Sequence, residues 1–143
     1  PEADGSYTIP AGNLFVKGTP KTRPEIYTMG NRNPWRLTID SKTGWLYWGE
    51  VGPDGSKDDL EKRGPQSYDE FNRAKKPGFY GWPYFVADNK PYHKYDFATK
   101  QSGEPFNPEH PVNYSPNSSG LNELPATTPA FIWYSKAPSD RFP

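Results

Sequence analysis

Residues 27–53 read YTMGNRNPWRLTIDSKTGWLYWGEVGP, and this stretch decides the fold. Leu37 and Ile39 alternate with Arg36 and Thr38, the period-2 pattern of a half-buried strand. Asp40-Ser41-Lys42-Thr43-Gly44 supplies turn chemistry: Asp and Ser bond their own backbone, and Gly44 tolerates positive φ. Trp45-Leu46-Tyr47-Trp48 then resumes as an aromatic-rich strand. Residues 36–50 therefore predict one antiparallel hairpin. A hairpin returns its far end beside its near end. The polar motifs Gly30-Asn31-Arg32-Asn33-Pro34 and Gly49-Glu50-Val51-Gly52-Pro53 are thus expected to be neighbours in space.

Upstream, residues 23–29 predict another short strand, which makes a three-strand meander with the hairpin. Such spacing suggests a sandwich, a barrel or a propeller blade. Before it, Tyr7-Thr8-Ile9-Pro10 reads as the end of a strand, and residues 11–20 as turn and surface connection.

Downstream, Asp54, Asp58, Asp59 and Glu61 lack the alternating ligand pattern of a calcium loop, and a solvated loop fits them better. In Tyr68-Asp69-Glu70-Phe71-Asn72, Tyr68 and Phe71 read as apolar anchors. Adjacent strand residues point to opposite faces, so one of Asp69 and Glu70 is directed inward. An inward carboxylate needs strong hydrogen bonds or a cation, and calcium or an Arg or Lys partner would serve. Residues 77–85 pack five aromatics between glycines and prolines: either walls of a binding site or an aromatic corner of the core. Residues 86–128 are rich in Asn, Pro, Ser and Lys and predict a long loop or insertion. His93 and His110 lie there without carboxylates at metal-binding spacing and read as ordinary loop histidines. Residues 129–134 predict a final strand, and Arg141-Phe142-Pro143 leave nothing to close a sheet.

Composition agrees with an all-β, loop-rich reading. The 18 Pro and 13 Gly in 143 residues leave little room for long helices, and the 16% aromatic content can replace aliphatics in the core. There is no Cys, hence no disulfide framework and no thiolate metal site. A net charge of zero gives no reason to expect nucleic acid. No apolar run approaches membrane-spanning length. The chain opens on Pro1-Glu2-Ala3-Asp4 with no signal peptide and reads as a segment of something longer.

Taken together, the motifs resemble the soluble glucose dehydrogenase and glucose/sorbosone dehydrogenase family. The resemblance rests on Tyr27-Thr28-Met29-Gly30-Asn31-Arg32-Asn33-Pro34, Glu50-Val51-Gly52-Pro53, Tyr68-Asp69-Glu70-Phe71-Asn72 and Tyr80-Gly81-Trp82-Pro83, in the family's order. It implies an all-β fold, part of a six-bladed β-propeller: about two blades, with residues 1–143 a partial domain and 86–128 a long loop within it. It implies a quinoprotein that oxidises a sugar or related alcohol with pyrroloquinoline quinone (PQQ) and calcium, in the periplasm or secreted, passing electrons to an acceptor protein. Residue by residue, Arg32 and Asn33 would contact the cofactor, and the carbonyls of Gly52 and Pro53 would ligate the calcium that bridges protein and cofactor. Glu70, with Asp69 and the Tyr80 carbonyl, would hold a second, structural calcium. The family's catalytic histidine lies in an earlier blade, so no catalytic residue is expected in this segment. Val51 stands where the best-known members have Gln, and the loop between Pro53 and Asp69 is longer here. The alternative is a non-catalytic, calcium-binding propeller module for carbohydrate or protein.

Overall fold

The structure, a computed structural model, describes residues 2–136. Among them there is no α-helix. Ten strands occur in chain order: β1 (Thr28–Met29), β2 (Pro34–Ile39), β3 (Leu46–Glu50), β4 (Tyr68–Ala74), β5 (Gly78–Phe79), β6 (Phe85–Val86), β7 (Lys90–Pro91), β8 (His93–Asp96), β9 (Gln101–Pro105) and β10 (Ile132–Ser135). The main sheet has four antiparallel strands in the order β10-β4-β3-β2. This is the layout of a propeller blade.

The predicted hairpin is present. Ile39 pairs with Leu46 and Leu37 with Trp48, and a bulge near Trp35 lets Pro34 pair with Glu50. Asp40 closes the turn as its residue type dictates. Its carboxylate accepts from the Lys42 N–H at 3.1 Å and the Thr43 hydroxyl at 2.5 Å, while Gly44 takes φ +70°. These bonds hold the Asp40 carboxyl below its ordinary range, the Thr43 hydroxyl first.

Two expectations about strands are corrected, and one is met. Residues 23–29 do not form a meander strand: Pro24 has no N–H to give, Ile26 bonds back to the Arg23 carbonyl in a turn, and only Thr28 and Met29 are extended. They pair in parallel with β5, and the meander's third strand is β4, beyond the 51–67 loop. The strand expected in 129–134 is present as β10, which pairs with β4 and completes this sheet. Residues 7–10 contain no strand. In addition, β2 is exposed along its whole length, because no described segment covers either of its faces. Arg141, Phe142 and Pro143 lie outside the described residues.

Strand parity sorts the sheet. Leu46, Trp48, Glu50, Glu70, Asn72 and Ala74 share the buried face, while Phe71 and Arg73 share the other. Phe71 is 50% exposed, so it does not anchor the core alongside Tyr68 as the sequence suggested. The buried face packs on residues 78–87. Trp48 and Tyr80 meet edge-to-face at 4.7 Å, with Ala74 beneath and Tyr27 and Leu46 at the margin. Each of these rings is worth roughly 2–3 kcal/mol of burial. The aromatic run at 77–85 is thus largely core: Phe79, Tyr80 and Phe85 are buried. Residues 86–128 carry β7 and the hairpin β8–β9, whose bulged register pairs His93 with Pro105 and Asp96 with Gln101.

Candidate functional site

The four motifs that stand apart in sequence converge at one end of the sheet. Glu50 draws the first two together. It ends β3 on the buried face, and its Oε1 accepts the backbone N–H of Arg32 at 2.6 Å and that of Asn33. Its Oε2 accepts the Trp48 indole N–H at 2.9 Å. A strand-end carboxylate therefore fixes the backbone of the Asn31-Arg32-Asn33 turn.

Arg32 is half-buried. Its guanidinium donates to the Val51 carbonyl at 3.0 Å and lies 5.5 Å from the centre of the Trp82 ring. It forms no salt bridge among the described residues, so the cation keeps N–H groups for another acceptor. Asn33 beside it is exposed.

Gly52 is buried and sits so close to β4 that a Cβ would lie 2.0 Å from the Tyr68 carbonyl oxygen. Its N–H donates to Asp69 Oδ1 at 2.8 Å. A second acceptor stands unused nearby: Ser67 Oγ is buried without a partner, 3.1 Å from where that Cβ would be. The fourth motif arrives through β1 and β5. Tyr80 N–H donates to the Met29 carbonyl and Trp82 N–H to the Gly30 carbonyl, while Gly30, at φ +77°, leaves room for the Phe79 ring.

Asp69 and Glu70 diverge, as strand alternation requires. Glu70 points inward, where Oε1 accepts the Ala87 N–H at 2.5 Å and Oε2 the Asn72 amide at 3.0 Å. Burial pushes its carboxyl above the ordinary range; those two bonds pull it down, and the charges of Glu50 and Asp69 add to the rise. With both oxygens facing N–H donors and Asp69 on the other face, the pair does not form the two-carboxylate end of a metal cage. No three His, Cys, Asp or Glu side chains among the described residues gather closely enough to hold a metal. Tyr80 turns its hydroxyl to the Arg73 carbonyl at 3.2 Å, and burial raises its pKa to about 12, so the phenol stays neutral.

The crevice enclosed by Gly30, Arg32, Glu50, Gly52, Glu70 and Trp82 measures about 10 Å³, room for one water. Anything larger must lie against its outer rim, where Arg32 and Asn33 reach solvent. Neither histidine offers a base here. His93 has both ring nitrogens on backbone carbonyls, of Gly103 at 2.8 Å and Leu60 at 2.9 Å, and His110 is exposed.

Sequence reasoning gave no role to Ser67 or Asn72, and took Glu50 as part of its motif without its hold on the Arg32 backbone. Parity could have found two of them: Glu50 follows Leu46 and Trp48 on the inward face, and Asn72 follows Glu70. Nothing local marks Ser67.

A family model for glucose/sorbosone dehydrogenase matches residues 2–128. The chain belongs to the glucose/sorbosone dehydrogenase family. It is also similar to two curated proteins of Arabidopsis thaliana. It is 32% identical over 94 residues to HIPL2 protein, covering 62% of this chain and 12% of that protein. To HIPL1 protein it is 29% identical over 109 residues, covering 76% and 14%. The chain thus spans only a small fraction of these relatives. No solved structure matches it significantly. In this family the described residues form part of a β-propeller, with the four-stranded sheet as a blade. No helix among them is long and apolar enough to cross a membrane.

Proposed function

We propose that this segment supplies cofactor and calcium contacts to a quinoprotein sugar dehydrogenase. The observation that carries the reading is the position of Arg32, a half-buried guanidinium without an ion pair among the described residues, held by Val51 and Trp82 at the rim of the converged motifs. PQQ carries three carboxylates, and a guanidinium forks onto a carboxylate in a bidentate pair. Asn33 would add a neutral hydrogen bond.

The donor set near Gly52 suits calcium. Calcium takes backbone carbonyls readily, and here the Gly52 backbone packs close to the Ser67 Oγ, which has no hydrogen-bond partner among the described residues. Glu70 bonds to the Ala87 N–H and the Asn72 amide, which favours a structural role, and we assign it to the fold. When bound, the quinone would accept a hydride from the sugar carbon while calcium polarises it. This chain's residues would position the cofactor, and Trp82 would shield one side of Arg32 from water. The base would come from elsewhere in the protein. The substrate would be a sugar or related alcohol, reoxidation would fall to an electron-acceptor protein, and the setting would be periplasmic or extracellular.

The test is dye reduction by the full-length protein with glucose, PQQ and calcium. Activity that needs all three supports the reading. A protein that binds calcium or sugar but reduces no dye would favour the non-catalytic module.

A further inference from the structure

The sheet has a second end that the converged motifs do not use. Glu50 pairs with Glu70 at the Arg32 crevice, and Leu46 pairs with Ala74 at the opposite end. There β4 runs out into Lys75 and Lys76. These two lysines and Arg73 line a cavity of about 360 Å³, walled by Tyr80, Thr128 and Phe131. That volume is within the roughly 300–1,000 Å³ of small-molecule sites.

The cavity rests on fixed backbone. The Thr128 N–H donates to the Phe79 carbonyl at 2.7 Å, that of Ala130 to Ala87 at 2.8 Å, and that of Phe131 to Phe71 at 3.0 Å. The Tyr80 hydroxyl donates to the Arg73 carbonyl at 3.2 Å. Aromatic rings hold the cationic heads. The Arg73 guanidinium lies 4.0 Å from the centre of the Phe131 ring and 5.4 Å from that of Trp45. The Lys75 ammonium lies 4.3 Å from the same Trp45 ring. Such contacts position a cation while leaving its charge intact and its N–H groups available to acceptors.

Nothing on the protein offsets these charges. No acidic residue lines the cavity, and no salt bridge among the described residues reaches Arg73, Lys75 or Lys76. Three like charges around one space repel one another, and an anion placed among them turns repulsion into attraction. Lys75 and Lys76 are exposed and Arg73 is half-buried, so a ligand can enter from solvent. The charge also selects the anion. A carboxylate brings one negative charge and two oxygens. A phosphate monoester brings about two charges near pH 7 and three terminal oxygens, enough for a guanidinium fork and two ammonium groups at once.

We propose that this cavity binds a phosphate monoester group, carried by a soluble molecule or by a lipid headgroup. The proposal goes beyond the cofactor reading and does not depend on it. Inorganic phosphate, glycerol 3-phosphate and acetate are titrated calorimetrically into the full-length protein at constant ionic strength, without PQQ. Vesicles of phosphatidylcholine, with and without phosphatidic acid, are sedimented with the same protein. The variants are Arg73→Gln, Lys76→Gln and Lys62→Gln, the last an exposed lysine of the 53–67 loop outside the cavity. A phosphate probe should bind at least about tenfold more tightly than acetate, and Arg73→Gln and Lys76→Gln should each weaken it by about tenfold, the loss of one charge-assisted contact. Lys62→Gln should bind as wild type does. Because Lys76 is exposed, its variant should keep the wild-type melting curve, which separates loss of ligand from loss of fold. Binding of the soluble probes identifies a soluble ligand, and binding only of phosphatidic acid vesicles identifies the headgroup. Phosphate bound in neither form, phosphate bound no more tightly than acetate, or binding unaltered by Lys76→Gln would overturn the proposal.

Discussion

Glu50 and Glu70 stand directly opposite each other on β3 and β4, both buried, and neither is ion-paired among the described residues. Each is satisfied by N–H donors instead. Glu50 holds the backbone of Arg32 and Asn33, and Glu70 holds Ala87 and Asn72. The two carboxylates tie two chain segments, at residues 32–33 and at Ala87, to the end of one sheet.

Glu50→Ala should therefore be costly. It removes the acceptor for two backbone N–H groups and the Trp48 indole, and a buried donor left alone costs roughly 1–3 kcal/mol. Urea denaturation of the full-length protein should show a loss of about 2–4 kcal/mol for this unit. An unchanged midpoint would mean the turn at Arg32 is held by something else.

Glu70 sets a pH dependence with a definite sign. Burial raises its folded-state pKa above the unfolded value, so the fold binds the proton more tightly. The stability this contributes is full below the ordinary carboxylate range and is lost as pH rises through the folded-state pKa. Glu70→Gln removes the titration. Melting curves across about pH 4–8 should show wild type losing stability relative to Glu70→Gln as pH rises. A calcium ion on Glu70 would favour the charged form and reverse that slope, so the same curves decide the structural-calcium expectation.

Two glycines separate close approach from ordinary space. A Cβ on Gly52 meets the Tyr68 carbonyl oxygen at 2.0 Å, whereas one on Gly55 meets nothing nearer than 3.5 Å. Gly52→Ala must push backbone against backbone and should cost about 3 kcal/mol or more, with Gly55→Ala within about 0.5 kcal/mol of wild type. Equal denaturation midpoints for the two variants would show that the Gly52 turn can move freely.

The hairpin at 36–50 was legible because each of its cues is local: the alternation at Leu37 and Ile39, the Asp40 turn, and the positive φ at Gly44. The neighbourhood of Arg32 and Gly52 followed from it. The partner of Thr28 and Met29 was not legible, because parallel pairing with β5 depends on contacts some 50 residues away. The inward turn of one carboxylate in the Asp69-Glu70 pair came from parity, which also puts Asn72 beside Glu70, but its other partner, the Ala87 N–H, depends on where residues 78–87 pack.

The most direct measurement is PQQ titration into full-length protein carrying Arg32→Lys, with a melting curve for each form. Lysine keeps the charge but loses the planar fork, and it cannot repeat both the Val51 bond and a bidentate contact. PQQ binding should weaken by about 1.5–3 kcal/mol, the range for charge-assisted hydrogen bonds, with Tm little changed. Equal PQQ affinity alongside a lowered Tm would show that Arg32 serves the fold, and would contradict the cofactor role of this segment.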